Sequence, residues 1–324
     1  MKAVQINNYG DKEVLEVNEN ASQPVLEEGQ LLIEVKAASI NPFDVKLRAG
    51  YMKDAIPLQF PFTMGGDYSG VVKEVNGPPA SAMSEALRAG VSDFQVGDEV
   101  YGQAIALGTG SGSFAELAAA NGANTAKKPH SIGFEQAAAL PLVGSSAVQA
   151  LEDHIKLESS QKILIHGGAG GIGHIAIQLA KSVGAYVATT VSTDDISFVK
   201  ELGADEVIDY KTQKFEELLK DYDAVYDTVG GETTNKSFAV LKQGGIFVSM
   251  LGEPDKNLAQ EHGVTVIGQG TKINTEHLSR LAQLVDDGKI TASVDKVFPL
   301  EEVKEAFGYQ EEVHPRGKVV LKIA

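Results

Sequence analysis

Between Lys162 and Val183 the chain reads Lys-Ile-Leu-Ile-His, then Gly-Gly-Ala-Gly-Gly-Ile-Gly, then His-Ile-Ala-Ile-Gln-Leu-Ala-Lys-Ser-Val. A short apolar run, a turn of five glycines and one alanine, and a helical pattern follow without a break. Ile172, Ile175, Ala176, Leu179, Ala180 and Val183 fall on one helical face. The spacing Gly168-x-Gly170-x-x-Gly173 says little alone, but a strand before it and a helix after it give it a mechanism. Glycines let the backbone turn tightly and come close to a diphosphate, whose charge then rests on the open amides of the helix N-terminus. The turn residues Gly168, Ala169, Gly170, Gly171, Ile172 and Gly173 are therefore expected to hold a dinucleotide.

The rhythm around this turn sets the architecture. Ile163–His166, Tyr186–Val191, Glu206–Tyr210, Ala224–Thr228, Gly245–Met250 and Val264–Gly268 read as strands, most of them separated by helical stretches. That alternation predicts a doubly wound parallel sheet. The first part of the chain reads differently. Strand-like runs at 31–37, 68–75 and 98–101 are punctuated by Pro42, Gly50, Pro57, Pro61, Gly65, Gly66 and Gly70, which predicts a β-rich, barrel-like domain. A final strand at 318–323 is expected to return to that first domain, so that the nucleotide domain is an insertion. The expected boundaries are 1–125 for the β-rich domain, 126–265 for the dinucleotide domain and 266–324 for the return segment. Residues 78–90 read as a surface insertion without chemistry.

Composition removes several function classes. There are no cysteines among the 324 residues, so neither a disulfide, a thiolate metal site nor a cysteine nucleophile is available. The net charge of −16 opposes nucleic acid and anionic lipid. No apolar run approaches the roughly 20 residues of a membrane span, and the first residues lack the pattern of a signal peptide. A cytoplasmic protein is expected. Neither a Gly-x-Ser-x-Gly elbow nor a Gly-Lys-Ser/Thr phosphate loop is present.

The cofactor type is read after the second strand of the inserted domain. An NAD site places an acid about 20 residues beyond the glycines, on the ribose hydroxyl. Val191 stands there, with Thr190 and Ser192 beside it, and small hydroxyls accept a phosphate without repelling it. NADP(H) is expected, although Asp194 and Asp195 pull the other way. Tyr210 ends the next strand, placed to pack on adenine or bond the phosphate, while neighbouring Lys211 reads more simply as a solvated lysine. Met250, Leu251 and Gly252 follow the fifth strand and Gln269 the sixth, at the sheet edge where such folds bind ligands, so their backbone groups are expected to hold the nicotinamide carboxamide.

Gly65-Gly-Asp-Tyr-Ser-Gly-Val-Val72, Phe94-Gln-Val-Gly-Asp-Glu-Val-Tyr101 and His166-Gly-Gly-Ala-Gly-Gly-Ile-Gly173 resemble the medium-chain dehydrogenase/reductase superfamily over nearly the whole chain. Within it the sequence resembles the zinc-free quinone oxidoreductase, or zeta-crystallin-like, branch and its enone reductases, with segment 184–231 especially close to the latter. The resemblance implies a Rossmann-type sheet inserted into a GroES-like β-rich catalytic domain. It also implies a homodimer joined through the last strands of the nucleotide sheet. Zinc-dependent members carry a cysteine ligand within the stretch that here is 38–44, and a histidine and glutamate where this chain has Gly66 and Asp67. The seven histidines show no paired ligand spacing, so no metal is expected.

What the resemblance implies for single residues is carried by position. Tyr51 matches an active-site tyrosine able to orient substrate or relay a proton; the other reading is a loop tyrosine on Pro57. Asn41 matches an Asn-Pro stretch that bonds ribose or a substrate carbonyl; the other reading is turn chemistry before Pro42. Asp44 supports Asn41 or caps the helix that begins there. Ser146 lies where relatives place a hydroxyl on the cofactor, and also reads as a helix-start serine. Arg316-Gly317-Lys318 resembles a C-terminal Gly-Lys pair that can reach the cofactor, or forms a solvated basic turn. The activity expected is NADPH-dependent hydride transfer to quinones or α,β-unsaturated carbonyls. The alternatives are a 2-enoyl-thioester reductase and a non-enzymatic NADPH-binding protein.

Overall fold

Alternation along Gln30–Ile40 builds the centre of the first unit. Leu31, Ile33 and Val35 are buried while their neighbours are half-exposed, and from Ala37 to Ile40 every residue is buried. The computed structural model describes residues 1–77, 91, 93–104 and 112–324, and the expected insertion at 78–90 lies outside the described residues. The chain divides into two compact units, one formed by 1–142, 273–286 and 292–324, the other by 143–272 and 287–291.

In the first unit, Gln30–Ile40 pairs antiparallel along its whole length with Asp67–Asn76. Its other edge is shared. Leu117–Asn121 pairs with residues 30–34, and Lys318–Lys322 with residues 37–40. The sheet continues through Glu99–Gln103 and Thr125–Lys127 on one side and ends at Val294–Pro299 on the other. A Cβ on Gly70 would lie 2.2 Å from the Glu34 carbonyl oxygen, so only glycine allows these two strands to approach as they do. The strand near the C-terminus thus returns to the first unit, as expected. A second, three-stranded sheet of Glu16–Asn18, Ala3–Ile6 and Phe62–Thr63 adds Val4, Ile6 and Phe62 to a core with Phe114, Phe307 and Leu321. The unit extends beyond residue 125 because Thr125–Lys127 pairs with Glu99–Gln103, and because Ser69 Oγ donates to the Phe134 carbonyl at 2.6 Å.

The second unit is a Rossmann-type sheet of six parallel strands. From edge to edge they are Glu206–Asp209, Tyr186–Val191, Lys162–His166, Tyr222–Asp227, Leu241–Ser249 and Thr265–Gly268. In chain order these are the third, second, first, fourth, fifth and sixth strands, the arrangement that places a crevice where the winding reverses. The helix Gly171–Val183 buries Ile175, Ala176, Leu179 and Ala180, and stops at Gly184, which takes the left-handed conformation with φ of 94°. Leu164, Val225, Phe238 and Phe247 fill the core of this unit.

Candidate active site

The glycine turn is held from beneath by a chain of hydrogen bonds. Gly168 N donates to the Thr190 carbonyl at 3.2 Å, and Gly167 N donates to Thr190 Oγ1 at 3.4 Å. Thr190 Oγ1 meets His166 Nδ1 at 3.0 Å; His166 Nε2 meets Ser237 Oγ at 2.9 Å; and Ser237 Oγ donates its hydrogen to the Thr233 carbonyl. Because Ser237 has no second hydrogen, Nε2 of His166 must be the protonated nitrogen, and Nδ1 accepts from Thr190. Burial lowers the pKa of His166 against the pull of Asp227 and Glu216, so the ring is neutral, as this chain of donors requires. The Thr190 hydroxyl is thus engaged inside the fold, and the residue is 5% exposed.

Two of the glycines are required by space. A Cβ on Gly168 would stand 2.1 Å from Thr189 Oγ1, and one on Gly173 would stand 2.2 Å from the Gly167 carbonyl oxygen. Gly170 is the N-cap and has no side chain to cap the helix. The first intrahelical bond runs from His174 N to the Gly170 carbonyl, so the amides of Gly171, Ile172 and Gly173 have no acceptor within the helix. This cradle fits a diphosphate: backbone donors converge where no side chain intrudes.

The other expected residues of this unit lie at the carboxyl ends of its strands. Ser192 Oγ donates to Asp195 Oδ2 at 2.7 Å, and Thr193 Oγ1 to Asp209 Oδ2 at 2.6 Å. Tyr210 is 58% exposed, its amide anchored on the Val191 carbonyl. Met250 N donates to the Asp227 carbonyl, and Leu251 N to Ser249 Oγ. Gly252, Val266 and Gln269 line an open recess of about 480 Å³. Gln269 Nε2 and Tyr226 Oη both donate to the Ser146 carbonyl, at 3.0 and 3.1 Å, while Ser146 Oγ pairs with Thr271 Oγ1 at 2.6 Å. Ser146 is therefore tied to the segment that follows the sixth strand.

In the first unit a polar cluster sits at one end of three adjacent strands, where Ser39 pairs with Asp67 and Ile40 with Val319. Asn41 Nδ2 donates to Asp67 Oδ2 at 2.8 Å, and Lys318 Nζ donates to Asn41 Oδ1 and to the Ile40 carbonyl, both at 2.5 Å. Leu142 N also donates to Asp67 Oδ2, at 3.2 Å. Asp44 reaches back to the Asn41 amide at 2.8 Å, as an N3 acid does in a capping box. All four side chains are buried. Burial, aided by the Asp67 charge, pushes the Asp44 carboxyl up to about 7. Burial also raises Asp67 and lowers Lys318, each opposed by the other's charge. Of the remaining expected residues, Tyr51 is 81% exposed, its amide bonded to the Lys46 carbonyl, and Arg316 is exposed.

Residues 27–130 match the alcohol dehydrogenase GroES-like domain, and residues 202–321 match a family described as zinc-binding dehydrogenase. The chain is 37% identical to the 2-methylene-furan-3-one reductase of Solanum lycopersicum, and 36% identical to the NADPH-dependent alkenal/one oxidoreductase, chloroplastic, of Arabidopsis thaliana. Each alignment covers 99% of this chain and 79% of the relative. A solved quinone oxidoreductase from Coxiella burnetii is 33% identical and superposes with a TM-score of 0.87, covering 100% of this chain and 99% of that one. The chain belongs to the medium-chain dehydrogenase/reductase superfamily, in its zinc-independent quinone oxidoreductase branch.

Among the described residues no group of three His, Cys, Asp or Glu is arranged to hold a metal ion. Two features of the candidate site escaped the sequence reading. One is Asp67 itself, which reaches Lys318 only by way of Asn41, and Asn41 and Lys318, 277 residues apart, meet only through strand pairing. The other is Asp227, fully buried at the end of its strand, which accepts from Val229 N, Gly230 N and Thr234 Oγ1 and so shapes the turn beside His166. Its local signal was an Asp three residues before the first of two glycines, the pattern of an Asx turn.

Proposed function

We propose that this protein is an NADPH-dependent oxidoreductase that reduces quinones or α,β-unsaturated carbonyls without a metal. The observation that carries the reading is the uncapped helix start at Gly171, Ile172 and Gly173, behind glycines whose Cβ positions are filled by neighbouring atoms. Those amides hold the pyrophosphate, and Gly168, Ala169 and Gly170 let it approach. Ser192 and Tyr210 border the 2′-phosphate; Thr190 contributes by anchoring the turn. Met250, Leu251, Gly252 and Gln269 hold the carboxamide end from the recess, and Ser146 keeps the Gln269 segment in place. Bound NADPH supplies a hydride to the acceptor.

The first unit supplies the acceptor's polar partners. Asn41 donates from Nδ2 to the carbonyl oxygen, which is the atom that gains charge when the acceptor is reduced. The Tyr51 hydroxyl delivers a proton to the resulting enolate. Lys318, buried against Asn41, acts from within the first unit, and Arg316, two residues before it, is exposed. Positioning and fixed donors carry the rate, as expected for an acceptor that is already electrophilic. The dinucleotide domain of this reading is the second unit and the catalytic domain the first. Relatives with names that specify NADPH, alkenals and quinones support the assignment.

Pairing through the outer edge of Thr265–Gly268, which ends the six-stranded sheet, gives the proposed homodimer. Among the described residues no helix is long and apolar enough to cross a membrane, and the cysteine-free chain suits the reducing cytoplasm we propose for it. The purified protein is expected to oxidise NADPH in the presence of 1,2-naphthoquinone or a vinyl ketone. Absence of turnover with both acceptor classes would overturn the proposal.

A further inference from the structure

We infer that Asp67 and Lys318 are positioning residues that lock the Asn41 amide in one orientation, presenting a single Nδ2 hydrogen to the acceptor. The inference rests on the reading of Asn41 given under the proposed function and extends it to two residues that touch neither acceptor nor cofactor. An asparagine amide has two near-isosteric orientations, and its neighbours choose between them. Here the choice is forced. A lysine ammonium only donates, and Lys318 Nζ lies 2.5 Å from Asn41 Oδ1. An ionised carboxylate only accepts, and Asp67 Oδ2 lies 2.8 Å from Asn41 Nδ2. Turning the amide over would set donor against donor and acceptor against acceptor in a site where Asn41 and Lys318 are each 2% exposed. With Oδ1 and the ammonium this deeply buried, the flipped form leaves Lys318 and Asp67 facing groups that cannot pair with them, and that costs free energy.

The two anchors are themselves fixed. Lys318 Nζ also donates to the Ile40 carbonyl, and Asp67 Oδ2 also receives Leu142 N and, at 3.5 Å, Ser39 Oγ. Their strands flank Gln30–Ile40 on opposite sides, with Asp67 paired to Ser39, and Val319, the residue after Lys318, paired to Ile40. One hydrogen of Nδ2 is given to Asp67, which leaves one for an acceptor oxygen. The ammonium withdraws charge from Oδ1 and so strengthens that remaining donor. Lys318 thereby serves hydride acceptance through Asn41, whereas the family resemblance implied contact with the cofactor or a solvated turn.

The test is a double-mutant cycle on the full chain: wild type, Asn41→Ala, Lys318→Met and the double variant. It reads kcat and KM for a vinyl ketone, NADPH affinity by the cofactor's own fluorescence, and thermal unfolding. Lys318→Met is expected to lower kcat roughly ten- to hundredfold through a misplaced donor, with NADPH affinity unchanged within about twofold. The double variant is expected to be no slower than Asn41→Ala alone, because Lys318 has nothing left to orient. Lys318→Gln keeps a donor toward Oδ1 without the buried charge; it is expected to recover part of the lost kcat, and it replaces the Met variant in the cycle should the latter fail to fold. The inference is overturned if the two effects multiply, if Lys318 variants weaken NADPH binding while kcat holds, or if only the melting temperature moves. A wild-type protein without turnover would instead overturn the proposed function, which keeps the two failures apart.

Discussion

His166 is a core residue that works on the glycine turn at one remove. Its Nδ1 orients the Thr190 hydroxyl, which in turn receives Gly167 N. A protonated ring would face that hydroxyl with a second donor and break the chain. The titration has a definite sign. Burial depresses the native pKa of His166 below 6.5, so its contribution to stability is complete above 6.5 and is lost as pH falls through the native value of about 4. Asp227 and Glu216, the carboxylates whose charges act on the ring, moderate this loss without cancelling it. Thermal unfolding followed across that window is expected to fall less steeply with acid in His166→Gln than in wild type. An equal slope would remove His166 from the account. Asp44 carries the opposite sign: its raised native pKa means that stability is lost as pH rises through about 7, and Asp44→Asn is expected to flatten that side of the profile. At this scale the sequence was only partly legible. That Thr190 would be a residue of interest followed from its distance beyond the glycines, but the direction of its hydroxyl depends on His166 and Ser237, and no local pattern carries that information.

Elements were the most legible scale, for a physical reason: periodicity is a local property, and both periods are strong here. The turn, the strand before it and the helix after it fall where the residues placed them. Boundaries moved where pairing continued beyond the apolar run. Leu241–Ser249 starts four residues before the expected Gly245, since Leu241 pairs with Tyr222 ahead of an irregularity in the register. The expected boundary at 125 missed Thr125–Lys127 because a three-residue strand has no period to read. The element that carries the proposed function is the glycine turn, and its substitution has a predictable result. Gly173→Ala puts a methyl group 2.2 Å from the Gly167 carbonyl oxygen. The backbone must shift, at roughly 1–3 kcal/mol in stability, and the shift reorients the amides meant for the pyrophosphate. NADPH affinity is expected to fall at least about tenfold, a loss of about 1.4 kcal/mol, while the far-ultraviolet circular dichroism stays that of a folded chain. Unchanged affinity would show that the turn does not hold the cofactor.

For the molecule as a whole, the order of segments explains why the candidate site could be anticipated only in part. The first unit is closed by residues from both ends of the sequence, since Lys318–Lys322 pairs with the far half of Gln30–Ile40. A return strand to the first domain was legible from its apolar run, but the strand it pairs with was not. The cluster of Asn41, Asp67 and Lys318 was not, because it exists only once that pairing places three distant residues at one strand end. The same arrangement gives metal-free chemistry its physical basis: the cluster sets a buried ammonium against a fixed amide. The most direct test follows the hydride. The protein would be incubated with NADPH carrying deuterium at C4 of the nicotinamide and a vinyl ketone, with a strong chelator present, and the label located in the product. The account predicts deuterium on the β-carbon of the saturated ketone and turnover indifferent to the chelator. A product without label, or turnover that returns only when zinc is added back, would contradict it.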